Sequence, residues 1–192
     1  MSRRQRRSSG RTALLMLLLV LAAVFVANML PEIQKKRAYP VKYRDEICLA
    51  AQTYRLPPAL VAAVACTESG YRPGAKSGAG ALGMMQMLPD TARDVAKQLG
   101  ESYTDDVLFH AEKALEYGCC YLRYLLDMFE GDERCAIAAY HGGLGNVRKW
   151  LNDPEYSPDG RSLAAFPKNA SGTRYYVSKV EKAYEYYKKV YP

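Results

Sequence analysis

The stretch that most limits what this chain can fold into runs from Ala59 to Thr67, within LPPALVAAVACTESG. Its residues are apolar on nearly every side of a helix, so it reads as a buried helix and not as an amphipathic surface one. Pro57-Pro58 opens it, because proline's locked φ suits a first helical turn. Ser69-Gly70 closes it, since glycine takes backbone angles that other residues avoid. One carboxylate, Glu68, therefore stands on the last turn of a hydrophobic helix, at the mouth of a Gly/Ser-rich loop.

That placement has a chemical consequence. Desolvation disfavours a charged carboxylate, and a helix C-terminus carries partial negative charge. Both raise the pKa of Glu68 above the roughly 4.3 of a free side chain. A carboxyl that stays protonated near neutral pH is able to act as a general acid; the plainer alternative is a Glu at a fraying helix end that reaches solvent. The loop beyond it holds Gly70, Gly74, Gly78, Gly80 and Gly83, with Ser77 among them. Small residues let backbone groups approach a ligand closely, as a sugar hydroxyl or acetamido group requires. Met84-Met85-Gln86-Met87 then sets one amide among apolar neighbours. Such an amide is costly without partners, so Gln86 is either a satisfied structural residue or a substrate contact. Neither Asp nor Glu occurs between Ser69 and Pro89, so a second catalytic carboxylate would have to come from elsewhere in the chain.

The formal charge of the chain is +7, and Arg3, Arg4, Arg6, Arg7 and Arg11 supply five of these charges. The remainder is too nearly neutral for a nucleic-acid-binding domain, which needs a basic face on the folded unit. Ala13 to Leu30 is apolar apart from Asn28. At 1.5 Å per residue it spans about 27 Å, close to a bilayer's hydrocarbon core. The arginines before it predict a cytoplasmic N-terminus, with the rest of the chain outside. A cleaved signal peptide is the competing reading, but no Ala-x-Ala site is present, since Phe25 precedes Ala27 by two. The expected organisation is a basic cytoplasmic tail over 1–11, a membrane anchor over 12–30, a tether over 31–40 and a catalytic domain over 41–192.

Periodicity predicts helices over Tyr43–Tyr54, from Pro89 to Gly100, over Ala111–Phe129, Glu133–Tyr140, Val147–Leu151 and Thr173–Tyr191. Leu115, Cys119, Leu122, Leu126 and Phe129 share one face of the longest. No segment alternates convincingly as a strand. The fold class is therefore all-α, with about six to eight helices. The five cysteines lack zinc spacing, and most sit among apolar residues, where a thiol behaves as a small hydrophobe; a disulfide among Cys48, Cys66 and the Cys119-Cys120 pair is the alternative. His110 and His141 are isolated, so neither a metal nor another cofactor is expected.

Glu68 to Ala92, ESGYRPGAKSGAGALGMMQMLPDTA, resembles the signature of the family-one lytic transglycosylases. It has the Glu-Ser pair, the later Ser, the Gly-x-Met-Gln core and a Pro-x-Thr-Ala helix start. Ala138 to Gly145, AAYHGGLG, resembles the family's Ala-Tyr-Asn-Ala-Gly-x-Gly motif, and Thr173-Arg174-Tyr175-Tyr176-Val177 its closing Thr-Arg-x-Tyr-Val. Three motifs in order cover about Arg44 to Tyr191. The resemblance implies the lysozyme-like α fold and peptidoglycan glycan strands as substrate, with Glu68 as the catalytic residue. It implies substrate binding by Ser77, Met85, Gln86, Ala139, Tyr140, His141 and Tyr176. The plainer alternative for Tyr140 is a core tyrosine with a satisfied hydroxyl. The chain departs from the family at His141, where Asn is usual, at Gly142, where Ala is usual, and at Gly172, where many members carry Glu. The implied reaction is a non-hydrolytic cut giving 1,6-anhydro ends. The alternatives are a goose-type lysozyme-like hydrolase, which adds water, and a non-catalytic glycan-binding scaffold of an envelope machine. Any protein partner is left open.

Overall fold

The computed structural model describes residues 3–191, with side chains from residue 16 onward. The arginines of the basic tail lie outside the described side chains. The chain divides into two compact units, Met1–Pro40 and Val41–Pro192.

The first unit is one helix, α1, Arg3–Ala38. Its stretch Met16–Ala38 is 23 residues long and apolar enough to cross a membrane by length and composition. Leu17, Leu18, Leu19, Val20, Leu21 and Phe25 are each more than half exposed. The helix continues through Pro31, so residues 31–38, within the expected tether, are helical. The reason lies in EIQKKRA, which is polar but made largely of straight-chain helix formers. Glu32 and Lys35, three apart, also pair across one turn at 2.9 Å.

The second unit is all-α among the described residues: α2 Arg44–Thr53, α3 Pro58–Ser69, α4 Pro89–Leu99, α5 Ala111–Met128, α6 Glu133–Gly142, α7 Leu144–Leu151 and α8 Ser171–Tyr187, with short 3-10 segments at Asp105–Phe109 and Lys168–Ala170. Every residue of α3 from Ala59 to Ala65 is buried, as a helix without a polar face demands. It packs along α8 and against α2; α8 also meets α6, and α6 meets α5 and α7. Gly70 ends α3 in the left-handed region at φ +63°, its N–H bonding to the Cys66 carbonyl at 2.9 Å. The shared face expected on α5 is buried in full, with Phe129 just past the helix end.

One boundary differs from the periodicity. The turn expected over Gly142–Gly145 shrinks to Gly143 alone, at φ +84° and ψ 140°. A single residue in that conformation breaks the helix, so α6 and α7 abut. Asp132 caps α6 by accepting the Cys135 N–H at 2.7 Å. The cysteines are thiols, and Cys119, Cys120 and Cys135 lie in the core. Tyr176, Tyr187 and Tyr191 of the C-terminal tyrosine run are buried, while Tyr175 is 69% exposed.

Candidate active site

Glu68 projects from the last turn of α3 and is mostly buried. Burial pushes its carboxyl up to about 7. Two groups oppose that rise and offset it only in part. The Tyr176 hydroxyl donates to Glu68 Oε1 at 2.6 Å, and the Lys179 ammonium, also on α8, favours the charged form. Neither is a carboxylate. At Gly172, where the family motif often carries Glu, a side chain would meet open space. The Tyr176 hydroxyl is itself held far above its ordinary pKa by burial and by the neighbouring Glu68, so it stays a donor.

Tyr140, near the end of α6, is the second hydroxyl near Glu68. Burial and the charge of Glu68 keep it neutral, and it donates to the Met85 carbonyl at 2.9 Å. Its ring lies 5.5 Å from that of Tyr121 on α5. The bond to Met85 ties α6 to the loop that leaves α3.

That loop is held mostly by itself. Ser69 Oγ donates to the Met84 carbonyl at 2.7 Å and accepts the Arg72 N–H at 2.9 Å. Ser77 Oγ accepts the Ala81 N–H at 2.9 Å, which leaves its own proton available. Gln86, at φ +48°, donates its amide nitrogen to the Gly83 carbonyl at 2.9 Å and the Ala75 carbonyl at 3.3 Å. Tyr71 bonds back to the Ala62 carbonyl in mid-α3 at 3.0 Å.

Two of the residues expected to bind substrate are fully buried. Met85 is fully buried, packed where a Cβ on Gly118 of α5 would come within 2.7 Å of it. Ala139 is also fully buried, and its carbonyl accepts the Gly143 N–H at 2.8 Å. Both side chains therefore belong to the core, and Met85 meets Tyr140 through its carbonyl. His141 is exposed over part of its surface; its ring stacks on Tyr176 with centroids 4.5 Å apart and planes 25° from parallel. Its Nδ1 lies 3.2 Å from Thr173 Oγ1, and burial lowers its pKa. Glu68, Tyr140, His141 and Tyr176 thus converge, while Ser77 and Gln86 serve the loop. Sequence reasoning placed Thr173 in a motif without its contact to His141, and missed Lys179 and the donation by Tyr176. The bond to Glu68 spans 108 positions, which no local pattern encodes. One concavity of about 460 Å³ lies away from this site, among Asp45, Leu49, Tyr54 and Glu112.

The folded unit is similar to known proteins. A family model described as the transglycosylase SLT domain matches residues 46–160. The soluble lytic murein transglycosylase of Escherichia coli strain K12 is 32% identical over 117 residues, 60% of this chain and 18% of that protein. Its Salmonella typhimurium counterpart is 31% identical over the same length and shares. Among solved structures, the 70 kDa soluble lytic transglycosylase of Escherichia coli aligns with a TM-score of 0.73 at 30% identity, covering 81% of this chain and 25% of that one. An inactive Glu-to-Gln mutant of the Pseudomonas aeruginosa lytic transglycosylase aligns with a TM-score of 0.68 at 28% identity, covering 79% and 25%. The chain spans about a quarter or less of these relatives' length.

Proposed function

The chain belongs to the transglycosylase SLT domain family, and from that premise we propose that it cuts peptidoglycan glycan between N-acetylmuramic acid and N-acetylglucosamine without consuming water. The observation that carries this reading is the state of Glu68: a lone carboxyl, raised to about 7 by burial and held by a tyrosine hydroxyl. Near neutral pH such a group is populated in both protonation states, so it serves as acid and then as base. Protonated Glu68 donates to the glycosidic oxygen as the bond from C1 breaks. The substrate's own acetamido group stabilises the positive charge at C1, a substrate-assisted departure from the two-carboxylate scheme. Glu68, now a carboxylate, takes the proton of the C6 hydroxyl. That oxygen bonds to C1, giving a 1,6-anhydro end and restoring protonated Glu68.

The surroundings of Glu68 support this route, because the groups acting on it are a hydroxyl and an ammonium rather than a second acid. The inactivity of the Pseudomonas relative as a Glu-to-Gln mutant is in keeping with a single essential carboxyl. Ser77, with its hydroxyl proton available, and Tyr140 and His141 beside Glu68 are the proposed sugar contacts. The N-terminal helix is proposed to anchor residues 41–192 on the extracytoplasmic side, where peptidoglycan lies. Resistance of the chain to carbonate extraction from membranes is the expected result; a shortened mature N-terminus found by mass spectrometry would remove the anchor.

Digestion of purified sacculi, followed by mass spectrometry of the released ends, tests the reaction. Anhydro-ended muropeptides are expected from the wild-type chain and none from Glu68→Gln. Reducing ends would make it a hydrolase, and binding without release would make it a scaffold.

A further inference from the structure

We propose that His141 is a positioning residue that holds the Tyr176 hydroxyl on Glu68, and that Gly142 makes this possible by admitting Thr173. The inference deepens the function proposed for this cleft and rests on it for its bearing on catalysis.

His141 touches α8 at two points. Its ring covers the Tyr176 ring at 4.5 Å, and its Nδ1 meets Thr173 Oγ1 at 3.2 Å. Thr173 and Tyr176 are three residues apart, so they share one face of α8. A phenol ring is free to turn about its long axis and to swing about its first torsion. A flat neighbour stacked on it and tied to the same helix removes that freedom. What is fixed is the direction of the hydroxyl, which donates to Glu68 Oε1 at 2.6 Å.

Gly142 completes the arrangement. A Cβ there would fall 2.8 Å from Thr173 Oγ1 and 3.1 Å from its Cγ2. Thr173 is buried and β-branched, so it has little room to turn away. Any larger residue at 142 therefore displaces the hydroxyl that His141 uses. The two departures of the AAYHGG motif from its family pattern become one structural unit with Thr173. The ionisable groups that act on Glu68 are Tyr176 and Lys179 on α8, and Tyr140 on α6 lies within reach of its charge. From α7, Asn146 bonds to the Gly142 carbonyl at 2.8 Å and carries no charge.

The consequence is a direction. The Tyr176 hydroxyl favours the ionised form of Glu68, so loosening it lets the carboxyl hold its proton to higher pH. A residue that only supported the fold would lower stability and leave that titration in place.

The test is the titration of the Glu68 carboxyl by ¹³C NMR, on the full-length chain in detergent micelles and without turnover. His141→Asn is expected to move the midpoint up by about half a pH unit or more. Thr173→Val, which removes the hydroxyl at nearly constant volume, moves it the same way by less; Gly142→Ala acts like Thr173→Val. In a Tyr176→Phe background none of the three has a further effect. Two results overturn the proposal: an unmoved midpoint in folded His141→Asn, whether or not its melting temperature falls, or equal shifts with and without the Tyr176 hydroxyl. If His141→Asn does not fold, Thr173→Val and Gly142→Ala decide by the same criteria. Because the readout needs no substrate, sacculus digestion by Glu68→Gln decides the proposed function separately.

Discussion

The tip of α3 and the loop that follows it are adjacent in sequence and were expected to share one task. They differ in how their polar groups are used. At the tip, Glu68 is desolvated, raised to about 7, and met by a hydroxyl 108 positions away. Along the loop, Ser69, Ser77 and Gln86 bond to the loop's own backbone. One region holds a polar group in an unfavourable state and so keeps it reactive. The other satisfies its polar groups and so keeps its shape. Changes at the tip should cost activity and spare the fold, and changes in the loop should do the reverse.

The largest effect is expected at the tip. Glu68→Gln has the same shape but neither donates nor reclaims a proton, so glycan release should fall about a thousandfold or more. The same variant should be more stable than the wild type in alkali. The folded pKa of Glu68 lies above the unfolded value, near 7 against 4.5. The protonated side chain thus contributes stability that is fully present below about pH 4.5 and is lost as pH rises through 7. Urea unfolding should show the two chains alike near pH 4 and the Gln variant ahead by about 3 kcal/mol at pH 9. A Glu68→Gln chain that is inactive and also less stable at pH 9 would break the comparison at its stronger end.

Next comes the loop, at Gly83. It lies at φ +75°, and a Cβ there would sit 1.9 Å from the Leu108 carbonyl oxygen. The obstacle is backbone, which has no rotamer to retreat into. Gly83→Ala should therefore destabilise the domain by about 3 kcal/mol or more. Gly74, a few residues away, has open space and an ordinary φ; Gly74→Ala should stay within about 0.5 kcal/mol, measured in the same melt.

The contrast between these glycines also shows what was legible beforehand. The apolar run of α3, the Pro57-Pro58 start, the Gly70 stop and the α5 face were all readable, because each is a local rule acting on adjacent residues. Five glycines between residues 70 and 83 were readable as a group, but not which of them is indispensable. That depends on where Leu108 passes, which is tertiary. The stacking of His141 on Tyr176 was hidden for the same reason. The helix through residues 31–38 was not legible because their polarity resembles a linker while their side-chain shapes favour a helix. The burial of the Met85 side chain was not legible, because a motif position says that a residue matters, not which way it points.

A smaller effect returns to the tip. Tyr176→Phe keeps the ring beneath His141 and removes one donated hydrogen bond. Glycan release should fall about tenfold, worth roughly 1.4 kcal/mol. The alkaline limb of the pH profile should move up, because the lost bond had favoured the carboxylate. A uniform loss across pH, with the limb in place, would mean that Tyr176 supports the wall and not the carboxyl.

The smallest effect sharpens the comparison most, because it falls on a residue that both readings claim. Ser77 Oγ accepts the Ala81 N–H, while main-chain bonds from Ser77 to Ala81 at 2.9 Å and from Gly80 to Ser77 at 3.0 Å would survive its loss. Ser77→Ala therefore leaves one amide to find water at a half-buried turn, costing about 1 kcal/mol. If the loop is scaffold throughout, glycan release per folded molecule stays within about twofold of wild type, since no group that acts on Glu68 has moved. If the free hydroxyl proton of Ser77 reaches a sugar, the loss exceeds the stability cost and shows as a raised KM with kcat retained. Melting temperature and steady-state kinetics on one preparation separate the two, and the second outcome would extend the reactive region from the helix tip into the loop.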